Sequence, residues 1–161
     1  MFAGASVILA IGTRGDPRTL GVRGENLAKV SHSLSDAAEW KGKKILAVGG
    51  GDSAIEAAIA LAKETSTTVT LAYRGAALTR AKSRNVQALT EQEKAGRVTV
   101  LFNSHLIEIT PQKVILRVKE EQRELENDAV FILIGADAPK AWLEQMGINI
   151  VTVQETVGPQ W

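Results

Sequence analysis

Apolar positions fall into short unbroken runs separated by one clear helical stripe. Ile45–Val48 (ILAV) is a continuous apolar run and predicts a strand buried on both faces. Three glycines follow it directly. The next stretch, DSAIEAAIALAKE, places Ile55, Ala58, Ile59 and Ala62 on one helical face, and its many alanines favour a helix. Asp52 suits the positive end of that helix dipole. Thr67–Leu71 (TTVTL) is β-branched and predicts a second strand. Strand, helix and strand close within about 30 residues, the span of one right-handed βαβ unit with parallel strands.

Val7–Ile11 predicts a further buried strand, followed by an irregular glycine-rich loop held by Leu20 and Val22. Ser35 or Asp36 caps a short turn through Trp40. Ser83–Ala95 predicts a second helix, carried by Val86 and Leu89 and stopped at Gly96. Val98–Phe102 predicts a third strand. His105–Thr110, Lys113–Lys119 and Arg123–Leu125 then predict an antiparallel meander. In it Val114, Leu116 and Val118 alternate with Ile115, Arg117 and Lys119. Ala129–Ile134 (AVFILI) predicts the last central strand, ending at Gly135. Pro139–Met146 predicts a short helix, and Ile148–Val153 a terminal strand. The whole reads as an α/β, Rossmann-like three-layer domain. Its central parallel sheet carries helices on both faces and an antiparallel β-meander in one crossover.

Composition narrows the function. The 161 residues are 45% hydrophobic with no cysteine, which excludes a disulfide framework, a thiol nucleophile and a dithiol redox centre. The start lacks the basic segment of a secretory signal, and no run reaches the ~18 apolar residues of a membrane helix. A cytoplasmic location is the expectation. Net charge is +1, so nothing draws the whole chain to nucleic acid or anionic lipid. Charge is distributed unevenly, however. Thr65 to Thr90 contains no Asp or Glu but holds Arg74, Arg80, Lys82 and Arg84. A local basic pocket on a neutral chain points to a small anion.

The glycine run explains which anion. Gly49, Gly50, Gly51, Asp52, Ser53 and Ala54 match G-x-G-x-x-A between a strand and a helix. Gly49 permits the turn, Gly51 lets backbone approach a pyrophosphate, and Ala54 lets helix lie close to strand. The helix N-terminus supplies free N–H groups to the phosphates. An NAD site usually has an acid at the end of the second strand; here that position reads Tyr73-Arg74-Gly75. Arg74 and Arg80, assisted by Lys82 or Arg84, form a clamp for a 2′-phosphate, and Tyr73 is placed to stack on adenine. NADPH is therefore expected over NADH.

Other chemistries fit less well. His32 and His105 are the only histidines and lie far apart, so no metal site is expected. No G-x-S-x-G is present, and Ala77 stands four residues after the only tyrosine, excluding a Tyr-x-x-x-Lys pair. Glu120 and Glu121 read as solvated charges at a hairpin edge, and Trp40 and Trp142 as packing residues. Nucleic-acid binding through the arginines lacks interleaved aromatics. A stand-alone NAD(P)-sensing regulatory module without catalysis is the alternative function.

GGGDSAIEAA, VTLAYR, LTRAK and VFILIGADAP, in that order, resemble the NADPH-binding domain of thioredoxin-reductase-like flavoprotein oxidoreductases. Within that group the ferredoxin–NADP reductases and bacillithiol-disulfide-reductase-like proteins are most similar. The resemblance implies that NADPH delivers hydride to FAD, with no side chain of this chain as a catalytic acid or base. It assigns pyrophosphate to Gly49–Ala54, the nicotinamide end to Glu56, the 2′-phosphate to Tyr73, Arg74 and Arg80, and strand-end backbone contacts to Ile134 and Gly135. The family's second arginine after the strand is Gly75 here. Residues 1–40 resemble a remnant of the FAD domain, 41–148 the NAD(P)H-binding domain, and 149–161 the start of a return to the FAD domain. The expectation is an NADPH module that does not hold FAD stably by itself. Its partner would be the missing FAD domain or a flavoprotein. A homodimer is left open.

Overall fold

The computed structural model describes residues 15–137 and 140–148. These divide into two units, of which Arg18–Gly135 forms the larger. Its elements are β1 (Val30–Ser31), a 3-10 turn (Ala38–Trp40), β2 (Lys44–Val48), α1 (Asp52–Ala62), β3 (Thr68–Ala72), α2 (Ser83–Lys94), β4 (Val98–Leu101), β5 (Ser104–Ile109), β6 (Lys113–Val118), β7 (Glu121–Glu126) and β8 (Ala129–Ile132). The five parallel strands run in the order β1-β8-β2-β3-β4. β5, β6 and β7 form a separate antiparallel sheet.

Alternation along the strands divides the core into two. Ile45, Ala47, Val69, Leu71 and Phe131 point to one face, where Ala54, Ile55, Ala58 and Leu61 of α1 and Leu89 of α2 cover them. Leu46, Val48, Ala72, Val130 and Ile132 point to the other, where Leu106, Ile109, Val114, Leu116 and Val118 of the meander cover them. The expected helices on both faces are therefore corrected. Among the described residues of this unit, the meander takes the place of the second helical layer. It can do so because its β6 strand alternates strictly, with Val114, Leu116 and Val118 all buried. Central strands buried on both sides must be apolar throughout, which is why all four residues of β8 are buried.

The helical stripe on α1 falls as the period predicts, widened to include Ala54, Ala57 and Leu61. α2 ends at Gly96, whose φ of +69° is left-handed. Trp40 packs edge-on against Phe131 with ring centroids 5.2 Å apart. Asp36 Oδ1 accepts the Ala38 N–H at 2.9 Å, starting the 3-10 turn.

Two parts differ from expectation. Val30–Ser31, within residues 1–40, adds a parallel edge strand beside β8. In the glycine-rich loop Val22 packs on the core, but Leu20 is 37% exposed. The loop is held instead by the Glu25 carboxylate, which accepts the N–H groups of Leu20 (2.8 Å) and Gly21 (2.7 Å). The strand expected at Val7–Ile11, the one at Ile148–Val153 and the tail 149–161 lie outside the described residues, as does the side chain of Trp142.

The smaller unit includes α3 (Lys140–Gln145), within the helix expected at Pro139–Met146. It also contains a bridge between Pro17 and Ala136. No helix among the described residues is long and apolar enough to cross a membrane.

Candidate dinucleotide site

The sheet reverses its order of construction at β2. From there the chain steps by way of α1 to β3 and then β4 on one side, while β8 and β1 lie on the other. The crevice beyond the carboxyl ends of the strands at such a reversal is where open α/β sheets bind ligands. Gly49, Gly50 and Gly51 leave β2 at that edge. The Gly49 N–H donates to Ala72 O at 3.0 Å and the Leu133 N–H to Val48 O at 2.8 Å, so the bend is tied to both neighbouring strands.

The three glycines have different tasks. A Cβ on Gly49 would lie 2.4 Å from Leu133 O and 2.8 Å from Ala54 Cβ, and its φ is +149°. Only glycine fits, and Ala54 is small for the same reason: helix and strand are in close approach here. A Cβ on Gly50 would lie 2.2 Å from Cε2 of Tyr73. At Gly51 a Cβ would meet nothing within 4 Å. Packing does not demand a glycine there; the space beside it is open. Gly51 is also the N-cap of α1 and no side chain caps that helix. The first-turn N–H groups have no intrahelical partner, which makes them available to an anion. Ser53, exposed, belongs to the same turn.

Asp52 turns away from this opening. Its Oδ1 accepts the Lys82 N–H at 2.9 Å and Asn85 Nδ2–H at 2.7 Å. Lys82 Nζ stands 3.9 Å from Asp52 Oδ2. The Lys82 N–H, more than any other group, holds the Asp52 carboxyl below its ordinary range. Asn85 Nδ2–H also donates to Glu56 Oε1 at 2.8 Å. Asp52 and Glu56, both expected near the ligand, therefore anchor the start of α2 to the start of α1. Asn85 carries no signal in the sequence. The amide spans from α2 to α1, and nothing in the local pattern around Asn85 signals that.

Tyr73 follows β3 and its ring is a wedge between two turns. One side lies on Gly50, and a Cβ on Gly75 would fall 2.7 Å from Cε1 on the other. With the Tyr73 ring in this place, a side chain at position 75 would require the ring to shift. This placement also engages the ring expected to stack on adenine. The backbone beyond is pinned by Ser104, whose N–H donates to Tyr73 O at 3.0 Å and whose hydroxyl donates to Leu101 O at 2.7 Å.

Arg74 and Arg80 are exposed and make no hydrogen bond or ion pair among the described residues. Arg84 is exposed as well, and its charge acts on Asp52. Beyond β8, Ile134 packs on the meander-side core. Gly135 has φ +97° and its carbonyl accepts the Arg18 N–H at 3.1 Å. No cluster of metal-binding side chains occurs among the described residues.

Known proteins are similar to this chain in sequence and fold. Residues 2–159 match the family model described as pyridine nucleotide-disulphide oxidoreductase. The chain is 31% identical over 156 residues to a ferredoxin–NADP reductase of Ignicoccus hospitalis, covering 92% of this chain and 49% of that protein. It is 31% identical over 147 residues to the bacilliredoxin reductase Bdr of Bacillus subtilis, covering 89% and 44% respectively. Among solved structures, the bacillithiol disulfide reductase Bdr of Staphylococcus aureus superposes with a TM-score of 0.78 at 31% identity, over 85% of this chain and 42% of that one. The chain thus spans a little under half the length of these relatives. A family match along almost the whole chain, together with a superposition at a TM-score of 0.78, places the protein in the pyridine nucleotide-disulphide oxidoreductase family.

Proposed function

We propose that the chain binds NADPH and, joined to a flavin-bearing domain or flavoprotein, presents it for hydride transfer to FAD. The observation that carries this reading is the opening at Gly51. Two glycines of the bend are required by packing, whereas the third faces open space beside uncapped helix N–H groups. A pyrophosphate fits that cradle, where a Cβ would stand in its way. The adenosine end then reaches the end of β3, where Arg74 and Arg80 have no hydrogen-bond or ion-pair partner among the described residues. An arginine gives a 2′-phosphate charge-assisted hydrogen bonds, and no carboxylate follows β3 to repel it. The name ferredoxin–NADP reductase, carried by relatives, supports the same cofactor.

The nicotinamide supplies the hydride when bound. This chain's residues bind and orient it: the bend holds the phosphates, Arg74 and Arg80 hold the sugar phosphate, and the backbone at Ile134–Gly135 lies on the nicotinamide side of the reversal. No side chain is needed to move a proton.

Calorimetric titration of the chain with NADPH and with NADH tests the reading. NADPH is expected to bind more tightly, by about tenfold or more, as a charged hydrogen bond to the extra phosphate would give. A folded chain indifferent to millimolar amounts of both would refute it.

A further inference from the structure

We infer that Asn85 is a specificity-determining positioning residue. By occupying Asp52 and Glu56 with a neutral donor, it leaves Arg74 and Arg80, in the loop before α2, free for a 2′-phosphate. The inference rests on the seat proposed above.

Asp52 and Glu56 stand one turn apart on α1, so their carboxylates share a face and repel. The end of the loop before α2 lies next to them: Lys82 Nζ is 3.9 Å from Asp52, and the charge of Arg84, in the first turn of α2, acts on it. Unsatisfied carboxylates beside a basic loop draw guanidinium groups into ion pairs. Among the described residues Arg74 and Arg80 form none.

The donors already in place account for this. Asp52 accepts the Lys82 N–H, and Asn85 Nδ2–H reaches Asp52 at 2.7 Å and Glu56 at 2.8 Å. An amide nitrogen carries two hydrogens, so one Asn can serve both carboxylates without adding charge. The residue is only 9% exposed, and its position in the first turn of α2 fixes where the nitrogen points. Aspartate at 85 would offer no donor and a third negative charge. Serine would offer one hydrogen for two acceptors.

The test compares Asn85→Asp and Asn85→Ser with the unaltered chain and with Arg74→Ala, using NADPH and NADH as titrants and circular dichroism as a check on folding. In the unaltered chain NADPH is favoured, and Arg74→Ala removes that preference. Asn85→Asp is expected to lower the NADPH-to-NADH affinity ratio roughly tenfold, and Asn85→Ser by less, with NADH affinity kept. A merely structural role would weaken both cofactors together and leave the ratio alone. If Arg74→Ala lowers the ratio but both folded Asn85 variants keep it, this inference fails and the seat stands. If the unaltered chain shows no preference, or Arg74→Ala leaves it intact, the seat itself fails and the inference with it. Loss of fold in both Asn85 variants would assign the residue to stability and overturn the inference.

Discussion

The glycine bend and the basic loop lie beside each other at the carboxyl edge of the sheet, yet they are built on opposite plans. The bend is held by backbone: it is tied to β3 and β8, and two of its three glycines lie closer to neighbouring atoms than any side chain allows. The loop from Tyr73 to Lys82 is tied down at its ends and along its apolar side, by the Tyr73 wedge, the bonds of Tyr73 and Gly75 to residues 101–104, the packing of Leu78 and Ala81 on the core and the ties from Lys82 to Asp52, while its arginines are left without such contacts. Its arginines point into solvent. On the proposed function, such a site separates the part common to all dinucleotides from the part that selects among them. In the first, Gly49 and Gly50 cannot take a side chain without damage to the fold. In the second, the exposed arginines can change without it.

Substitutions should separate the two plans by size of effect. Gly49→Ala forces a Cβ against the Leu133 carbonyl and strains a backbone at φ +149°. It should cost about 3 kcal/mol or more in urea unfolding, combining overpacking with backbone strain. A cost below about 1 kcal/mol would mean that the bend is looser than described. Gly51→Ala is the counterpart, since its φ of −97° suits alanine and nothing stands in the way. Stability should hold within about 0.5 kcal/mol. NADPH binding should fall by about 2 kcal/mol, because the methyl group takes the phosphate's place.

In the loop, Arg74→Ala should weaken NADPH by ~1–3 kcal/mol, spare NADH and leave the melting temperature unchanged. Equal loss for both cofactors would place the arginine elsewhere than at the 2′-phosphate. The smallest effect concerns Asp52. Its carboxyl is held below the ordinary value of 3.8, chiefly by the Lys82 N–H, so its contribution to stability is present above that value. That contribution is lost as pH falls through the lower value of the folded state. Asp52→Asn should therefore be less stable than the unaltered chain at neutral pH, with the difference shrinking toward pH 3 in thermal melts. A difference constant with pH would show that the Asp52 charge does not tie α2 to α1.

What was legible in the sequence followed the same division. The bend, α1 and β3 are specified by neighbours in the chain: an apolar run, three glycines and a helical stripe. Each could be placed within a residue or two. β1 could not, because two residues, Val30–Ser31, become a strand only through pairing with β8 a hundred positions later. β7 (EQRELE) extends beyond the Arg123–Leu125 that the pattern predicts, since its exposed polar residues carry no apolar alternation and it is a strand through its pairing with β6. The second layer was expected to be helical although Val114, Leu116 and Val118 alternate as a covering strand must. In the site, the open glycine and the basic loop could be read from residue type and order. The Asn85 bridge could not, because it depends on how α2 is set against α1.

The most direct measurement follows the backbone amide signals of the chain by 15N NMR during titration with NADPH. The account predicts that Gly51, Asp52 and Ser53 shift, together with the amides from Tyr73 to Lys82, and that NADH moves the first group but leaves Arg74 and Arg80 largely in place. Shifts confined to the meander, or identical responses to both cofactors around Arg74, would contradict it.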